Sequence, residues 1–241
     1  MRALALGAVI VLLLLLLLWQ HESDHIGYWL NCKFKNGVNQ SGVPTPAAIR
    51  TRVRSLIDGL PDAALPPPDG LPDAELPPPD AAMPPKYTFV DLGCGDGDVI
   101  ADLLSSDRLD ALVGVELDAE QAARTRARFA AEPRARILAQ NMTSFEFPDA
   151  PLVVYMYEPL WCLPLEDARR TYGQVLKNLT ETTGRMPTYL IYVSGVRPVL
   201  DEAFFAQNGV GQPLHMSRAR RGLGWPGNRV WMFRLDHGAE I

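Results

Sequence analysis

Short apolar runs alternate with helix-like segments from Tyr87 to the end of the chain. The runs are rich in Val, Ile, Leu and Tyr, as buried strands are, and the segments between them have the apolar spacing of amphipathic helices. The predicted strands are Tyr87–Leu92, Ala111–Glu116, Arg136–Ala139, Leu152–Met156, Tyr189–Val193, Leu214–Arg218 and Arg229–Leu235, and the predicted helices are Val99–Leu104, Ala119–Ala131 and Leu165–Leu179. This order predicts an α/β fold with a doubly wound, mostly parallel seven-stranded sheet and a C-terminal antiparallel strand.

The chain begins with a segment of a different kind. The seventeen residues from Ala3 to Trp19 carry no charge, and Leu12 to Leu18 is an unbroken run of leucine. As a helix they would span about 25 Å, close to the roughly 30 Å of a bilayer core. We expect residues 1–20 to form a transmembrane helix, with a cleaved signal as the open alternative. The predicted location is therefore a membrane, reached through a single-pass N-terminal anchor, in a mitochondrion or the bacterial inner membrane.

Two further segments separate this predicted anchor from the α/β region. Residues 21–59 form a juxtamembrane segment with a short basic amphipathic helix from Pro46 to Ile57, which could cap the following domain or contact anionic lipid. Residues 60–85 form a linker in which an eleven-residue proline-rich unit occurs twice. Such a segment favours polyproline II and would reach about 75 Å when extended. Residues 86–241 are the predicted catalytic-sized domain.

Composition limits the partners that this chain can have. Its formal net charge is −5, which argues against nucleic acid as a partner, because binding to phosphate backbones normally requires a basic face. Its three cysteines are far apart and form neither a disulfide framework nor a metal-binding knuckle. We expect a monomer with no metal, and with a membrane partner only through its N-terminal helix.

The most informative motif lies where the first predicted strand gives way to a helix. It reads Val90-Asp-Leu-Gly-Cys-Gly-Asp-Gly97, with glycine at positions 93, 95 and 97. Glycines let the main chain pass close beneath a ligand and adopt angles that other residues avoid. The helix start that follows provides free N–H groups. The motif therefore indicates a nucleotide-type ligand.

Two kinds of ligand compete for this loop. A dinucleotide fingerprint would require glycine at position 98, where this chain has aspartate, and Asp96 and Asp98 would lie beside a pyrophosphate. A cationic ligand suits the acidic turn better. Glu116 ends the next strand, where a carboxylate can accept hydrogen bonds from ribose hydroxyls, although it could instead cap the following helix together with Asp118.

These residues resemble the class I S-adenosylmethionine-dependent methyltransferases, over roughly Tyr87 to Val193. More narrowly, the layout is similar to small membrane-anchored enzymes of the mitochondrial lysine methyltransferase type, except that those usually have arginine where this chain has Asp98. The resemblance implies a Rossmann-like methyltransferase fold and S-adenosylmethionine as the cofactor. It assigns Asp91, Gly93, Cys94, Gly95 and Gly97 to the methionine side of the cofactor, Glu116 to the ribose, and Leu117, Asn141 and Met142 to the adenine.

The fourth predicted strand runs into Tyr155-Met-Tyr-Glu-Pro-Leu-Trp161. Related enzymes often have an asparagine and prolines here, and this chain has Glu158 in place of the amide. Its carboxylate could orient an ammonium acceptor or take its proton, or it could be a solvated loop residue. Tyr157 and Trp161 could form an aromatic wall for a cationic substrate, or could simply pack in a lid.

Taken together, the sequence predicts a membrane-tethered methyltransferase that transfers a methyl group to an amine of a small molecule or of a protein lysine. Its predicted catalytic residues are Glu158 and Tyr157. Two alternatives remain open at this stage. One is an NAD-dependent oxidoreductase, and the other is a catalytically silent, anchored module that binds S-adenosylmethionine.

Overall fold

The structure is a computed structural model, and the residues it describes are 45–61, 86–158, 160, 163–182, 186–194, 200–219 and 228–235. The predicted anchor at residues 1–20, the linker from residue 62 to 85 and the side chain of Trp161 lie outside the described residues. Among the described helices, none has both the length and the apolar character needed to cross a bilayer.

Five helices and seven strands alternate through the described residues, much as the apolar runs predict. The helices are α1 (Ala47–Asp58), α2 (Asp98–Leu103), α3 (Ala119–Arg128), α4 (Leu165–Thr182) and α5 (Glu202–Gln207). The strands are β1 (Tyr87–Leu92), β2 (Leu109–Glu116), β3 (Ala135–Ala139), β4 (Leu152–Tyr157), β5 (Thr188–Ser194), β6 (His215–Ala219) and β7 (Asn228–Leu235). A short 3-10 turn, Met142–Ser144, follows β3.

The seven strands form one sheet in the order β3-β2-β1-β4-β5-β7-β6. Strands β1 to β5 are parallel, and β7 runs antiparallel to both β5 and β6. This confirms the predicted mostly parallel sheet with an antiparallel C-terminal strand. The order reverses between β1 and β4, and in sheets of this kind the ligand crevice opens outside the carboxyl ends of the strands at that reversal.

Both faces of the sheet are covered, which is why its central strands read as continuous apolar runs. Helices α1, α2 and α3 cover one face, where Phe89 and Tyr155 are buried. Helices α4 and α5 cover the other face, where Val90 and Tyr192 are buried. Tyr157, the last residue of β4, packs on the first face, and Glu158 follows the strand.

Helix α1 packs on the domain, although it precedes the proline-rich segment. Ile49, Val53 and Ile57 recur every four residues and are fully buried against the first face. On its polar side, the Arg50 Nε atom lies 2.6 Å from Asp102 Oδ2 of α2. The arginine next to the apolar stripe therefore binds protein carboxylate, and α1 caps the domain.

Candidate functional site

The glycine loop connects β1 to α2 at the carboxyl edge of the sheet. Its glycines all have positive φ, at 84° for Gly93, 51° for Gly95 and 74° for Gly97. A side chain would strain the loop at these angles. At Gly97 there is also no room, since a Cβ atom would lie 3.0 Å from Thr125 of α3 and 2.6 Å from the ring of Phe129, the residue after α3. The motif is therefore a turn that its glycines make possible, and Gly97 lets it lie against α3.

Strand β2 and helix α3 hold the loop in place. The Gly93 N–H donates to the Val115 carbonyl at 2.8 Å, and the Thr125 hydroxyl donates to the Gly95 carbonyl at 2.6 Å. The Gln121 amide donates to the Asp96 carboxylate at 2.6 Å. Thr125 and Gln121 are both buried on one face of α3. The loop is thus fixed before any ligand binds.

Glu116 links the end of β2 to this loop. Its Oε2 accepts the Gly95 N–H at 3.0 Å, and its Oε1 accepts the Asp118 N–H at 3.0 Å. Asp118 caps α3 by accepting the N–H groups of Glu120 and Gln121. Asp118 therefore caps the helix and Glu116 lies against the glycine loop, while the contact of Glu116 with a ribose stays a prediction. Leu117, between them, is 53% exposed.

Asp91 is the buried acid of the site, with only 3% of its surface exposed. Burial, together with the nearby negative charge of Glu116, raises its pKa from 3.8 to about 8. A carboxyl group in this position is poorly solvated and has a like charge beside it, so a bound cation would stabilise its ionised form. The arrangement therefore favours a positively charged ligand.

Cys94 is in the loop, but its side chain does not face the crevice. It belongs to the hydrophobic core, where its sulfur occupies the space that a Cβ at Gly114 would need. Burial and the charges of Asp91 and Glu116 raise the pKa of the thiol, which keeps it protonated. Its main-chain N–H donates to the Val115 carbonyl and its carbonyl accepts the Gly97 N–H, so a contact between Cys94 and the cofactor stays a prediction.

Asn141 and Met142 follow β3, as predicted. The Asn141 Oδ1 atom accepts the Thr143 N–H at 3.0 Å and the Thr143 hydroxyl at 2.9 Å, so it caps the 3-10 turn. Asn141 is exposed and Met142 is half-buried. The cap engages the oxygen of Asn141, so a contact with the adenine amino group has to compete with Thr143. That role stays a prediction.

Asp98, the departure from the subfamily pattern, joins α1 to α3. Its Oδ1 lies 2.8 Å from Arg128 of α3, and its Oδ2 lies 4.0 Å from Arg50 of α1. Arg128 also donates to the Asp96 carbonyl at 2.6 Å. The carboxylate at position 98 thus ties the start of α2 to both neighbouring helices.

The end of β4 holds the residues that the sequence predicts to face the methyl acceptor. Glu158 is 5% exposed and has a φ of 32°, the one positive φ of a non-glycine residue among those described. The Tyr192 hydroxyl of β5 donates to its Oε1 at 3.1 Å. The alternative that Glu158 is a solvated loop residue is therefore wrong. Tyr157 is half-buried and packs against the opposite face of the sheet.

Tyr192, Thr125 and Gln121 were not identified from the sequence. The last two are four residues apart on α3, a spacing that places them on one helix face, but nothing local shows that this face meets the glycine loop. Tyr192 lies 34 residues from Glu158 inside an apolar strand. Only the pairing of β4 with β5 brings the two together.

The donor set suits a cationic nucleoside better than a dinucleotide. Phosphate groups bind free N–H groups at such a loop, yet the Gly95 N–H is already taken by the carboxylate of Glu116. The carboxylate of Asp96 adds negative charge at the same turn, and Asp91 adds a second charge when it ionises, whereas Asp98 is paired with Arg128 and Arg50. A pyrophosphate would be repelled here, whereas a sulfonium or ammonium group would be attracted.

Comparison with known proteins agrees with this chemistry. Residues 89–182 match the family model described as a methyltransferase domain. No curated protein sequence matches the chain. This match and the acidic loop give no support to the NAD-dependent oxidoreductase alternative.

Three solved structures of low identity are similar to this chain over about three fifths of its length. The N-methyltransferase NodS from Bradyrhizobium japonicum WM9 is 14% identical, with 62% of this chain and 85% of that chain covered and a TM-score of 0.48. Magnesium protoporphyrin IX methyltransferase from Synechocystis PCC 6803, crystallised with S-adenosylhomocysteine, is 15% identical, with 63% and 75% covered and a TM-score of 0.44. A methyltransferase from Aquifex aeolicus is 13% identical, with 63% and 84% covered and a TM-score of 0.43.

Proposed function

We propose that this S-adenosylmethionine-dependent methyltransferase transfers its methyl group to an amine, with Glu158 as the residue that receives the amine. One observation carries the proposal: a buried carboxylate stands at the end of β4, beside the reversal of strand order. Parallel sheets bind their ligands outside this edge. The glycine loop at the end of β1 is the cofactor half of the crevice, and Glu158 belongs to the acceptor half.

The residues of the cofactor half can bind a positively charged cofactor through their own carboxylates, with no metal ion needed. When bound, S-adenosylmethionine supplies an electrophilic methyl group on a positively charged sulfur. Glu116, which has the position assigned to the ribose, provides negative charge toward it, and Asp91 adds a second charge when the bound cation favours its ionised form. The glycine loop is held by Thr125 and Gln121, so the protein contributes alignment by a preformed turn.

An amine accepts a methyl group only when its nitrogen has a free electron pair, so an ammonium must first lose its proton. The Glu158 carboxylate can attract the ammonium and take that proton, because it is buried and carries negative charge when ionised. Tyr157, the other predicted catalytic residue, packs on the face of the sheet opposite Tyr192, so the proposal rests on Glu158. These features support an amine acceptor over an uncharged one.

A protein lysine is the amine that the remainder of the sequence favours. Residues 1–20 have the composition of a membrane anchor, and the proline-rich residues 60–85 suit a spacer. An enzyme tethered in this way would meet acceptors at a membrane surface, and membrane proteins present lysine there. The resemblance to anchored lysine methyltransferases supports the same reading.

The first experiment tests the cofactor with the full-length chain in detergent. Isothermal titration should show binding of S-adenosylmethionine and S-adenosylhomocysteine, and no comparable binding of NAD. The acceptor is then sought by incubating the chain with methyl-tritiated S-adenosylmethionine and the membrane proteins of cells that lack it. Mass spectrometry should place the label on lysine nitrogen. Label on oxygen or on a nucleic acid would overturn the proposal.

The second experiment tests Glu158. Glu158→Gln should lower the labelling rate about a hundredfold, the lower end of what a general base contributes, while changing the affinity for S-adenosylhomocysteine less than twofold. Glu166→Gln, at an exposed position at the start of α4, is the matched control and should label normally. An unchanged rate in Glu158→Gln removes Glu158 from the mechanism. Cofactor binding with no labelling of any acceptor would favour the silent module.

A further inference from the structure

We infer that Tyr192 is a positioning residue that fixes the Glu158 carboxylate for its reaction with the amine. The inference rests on the proposed function of Glu158 and adds a second residue to it. Tyr192 lies on β5 opposite Met156 of β4, so its side chain projects beside the residues that end β4. Its hydroxyl reaches Glu158 Oε1 at 3.1 Å, and both side chains are buried.

Packing fixes the ring of Tyr192 from three sides. Its ring centroid lies 5.3 Å from Phe205 of α5, 5.8 Å from Trp231 of β7 and 6.4 Å from Tyr172 of α4. Each pair is close to edge-to-face, an arrangement that adds attraction to the burial of the rings. With the ring held in this cluster, the direction of the hydroxyl is set, and the Glu158 oxygen that accepts from it is set as well.

The same cluster also holds the main chain around Glu158. The Leu160 N–H donates to the Tyr172 hydroxyl at 3.2 Å. Glu158 itself has a φ of 32°, which costs energy for any residue with a side chain. Strained conformations of this kind persist where the surroundings determine them, and they are concentrated at functional sites. Two tyrosines of one cluster therefore hold the side chain of Glu158 and the chain that follows it.

Tyr192 can only donate in this hydrogen bond. Burial and the negative charge of Glu158 raise the pKa of Tyr192 far above its ordinary value, so its hydroxyl keeps its proton. The titratable group that faces it from α4 is Tyr172, while α5 and β7 present the uncharged Phe205 and Trp231. A hydrogen bond donated to a carboxylate stabilises the ionised form, which is the form that can take a proton.

The test is Tyr192→Phe, which removes the hydroxyl and keeps the ring. The readout is carbon NMR of the full-length chain labelled at its glutamate carboxyl carbons, with the signal of Glu158 identified by its loss in Glu158→Gln. We expect the titration midpoint of that signal to rise by about one pH unit, a tenfold change in its ionisation constant. Methyl transfer to the labelled membrane acceptor should slow about tenfold, with the affinity for S-adenosylhomocysteine unchanged.

Tyr189→Phe is the matched control, because it removes a buried tyrosine hydroxyl from the same strand on the opposite face. It should leave the titration midpoint of Glu158 unchanged, even if it lowers the free energy of unfolding as much as Tyr192→Phe does. Tyr192→Phe added to Glu158→Gln should slow transfer no further than Glu158→Gln alone.

The outcomes separate the two claims. A midpoint in Tyr192→Phe within about 0.2 pH unit of the wild-type value would overturn the inference and leave the role of Glu158 intact. Normal transfer by Glu158→Gln would overturn the proposed role of Glu158, whatever the titration shows. A shift of the midpoint in Tyr189→Phe as large as in Tyr192→Phe would show a general loosening of the sheet, and would also overturn the inference.

Discussion

The two halves of the crevice differ in whether main-chain or side-chain groups form them. The cofactor half is mostly main chain: three glycines with positive φ, an N–H held by Glu116 and a carbonyl held by Thr125. The acceptor half depends on side chains that meet across strands, with Glu158 of the β4 end bonded to Tyr192 of β5. The first half thus presents a preformed turn of fixed shape, whereas the second presents a carboxylate that the aromatic cluster around Tyr192 helps to orient.

This difference explains which parts of the site could be predicted from the sequence alone. A turn made by glycines between a strand and a helix leaves a contiguous motif, so the loop, Glu116 and the cap at Asp118 could be predicted from residues 91–118. The sheet itself could also be predicted, since its strands are continuous apolar runs. The partner of Glu158 could not, because hydrogen bonds between distant side chains follow from strand pairing and leave no local spacing. The inward packing of Cys94 could not be predicted either, because it depends on the space that Gly114 of β2 leaves for the sulfur.

A substitution at Gly97, where the glycine loop is packed most closely, should have the largest effect. Gly97→Ala combines a strained φ of 74° with a Cβ atom 2.6 Å from Phe129, and should lower the free energy of unfolding by about 3 kcal/mol. Gly209→Ala is the control, since its φ is 75° and nothing lies within 4 Å of the added atom. It should cost about 1 kcal/mol in urea unfolding. Equal losses would contradict a packed loop.

Removing the acid of the cofactor half should have the next largest effect. Glu116→Ala deletes the acceptor of the Gly95 N–H and the group assigned to the ribose. Affinity for S-adenosylhomocysteine should fall about a hundredfold, as expected when a hydrogen-bonded charge is lost. Glu120→Ala, four residues further along the chain at a position of α3 that is 90% exposed, should bind normally. A loss below threefold in Glu116→Ala would show that the ribose is held elsewhere.

The smallest expected effect is a dependence of cofactor affinity on pH, which Asp91 would cause. Asp91 has a pKa of about 8 in the folded chain and 3.8 in the reference state. Well below pH 8 its ionised fraction rises tenfold per pH unit, so affinity for S-adenosylmethionine should rise about tenfold from pH 6 to 7. An α-amino group keeps its proton over that range. Asp91→Asn should bind weakly without this dependence, and exposed Asp149→Asn should behave as the wild type.

In the ligand-free chain, Asp91 has the opposite effect on folding stability, which it lowers as the pH rises. A carboxyl whose pKa is raised by folding binds its proton more tightly in the native state, so its contribution is present below about pH 4 and is lost as pH rises to about 8. Thermal unfolding should show this decline, and it should be absent from Asp91→Asn. A wild-type chain whose stability rises over the same range would contradict a buried, uncompensated Asp91.

The placement of α1 determines where a shortened form of this protein can begin. Arg50 binds Asp102 and Ile49 is fully buried, yet α1 precedes the 24 residues from 62 to 85 for which no placement is described. A shortened chain that begins at residue 86, the predicted domain start, would expose the apolar surface that α1 covers beside α2, and would tend to aggregate. The same arrangement suits a split protein, in which residues 45–61 are supplied as a separate peptide and assemble with the rest.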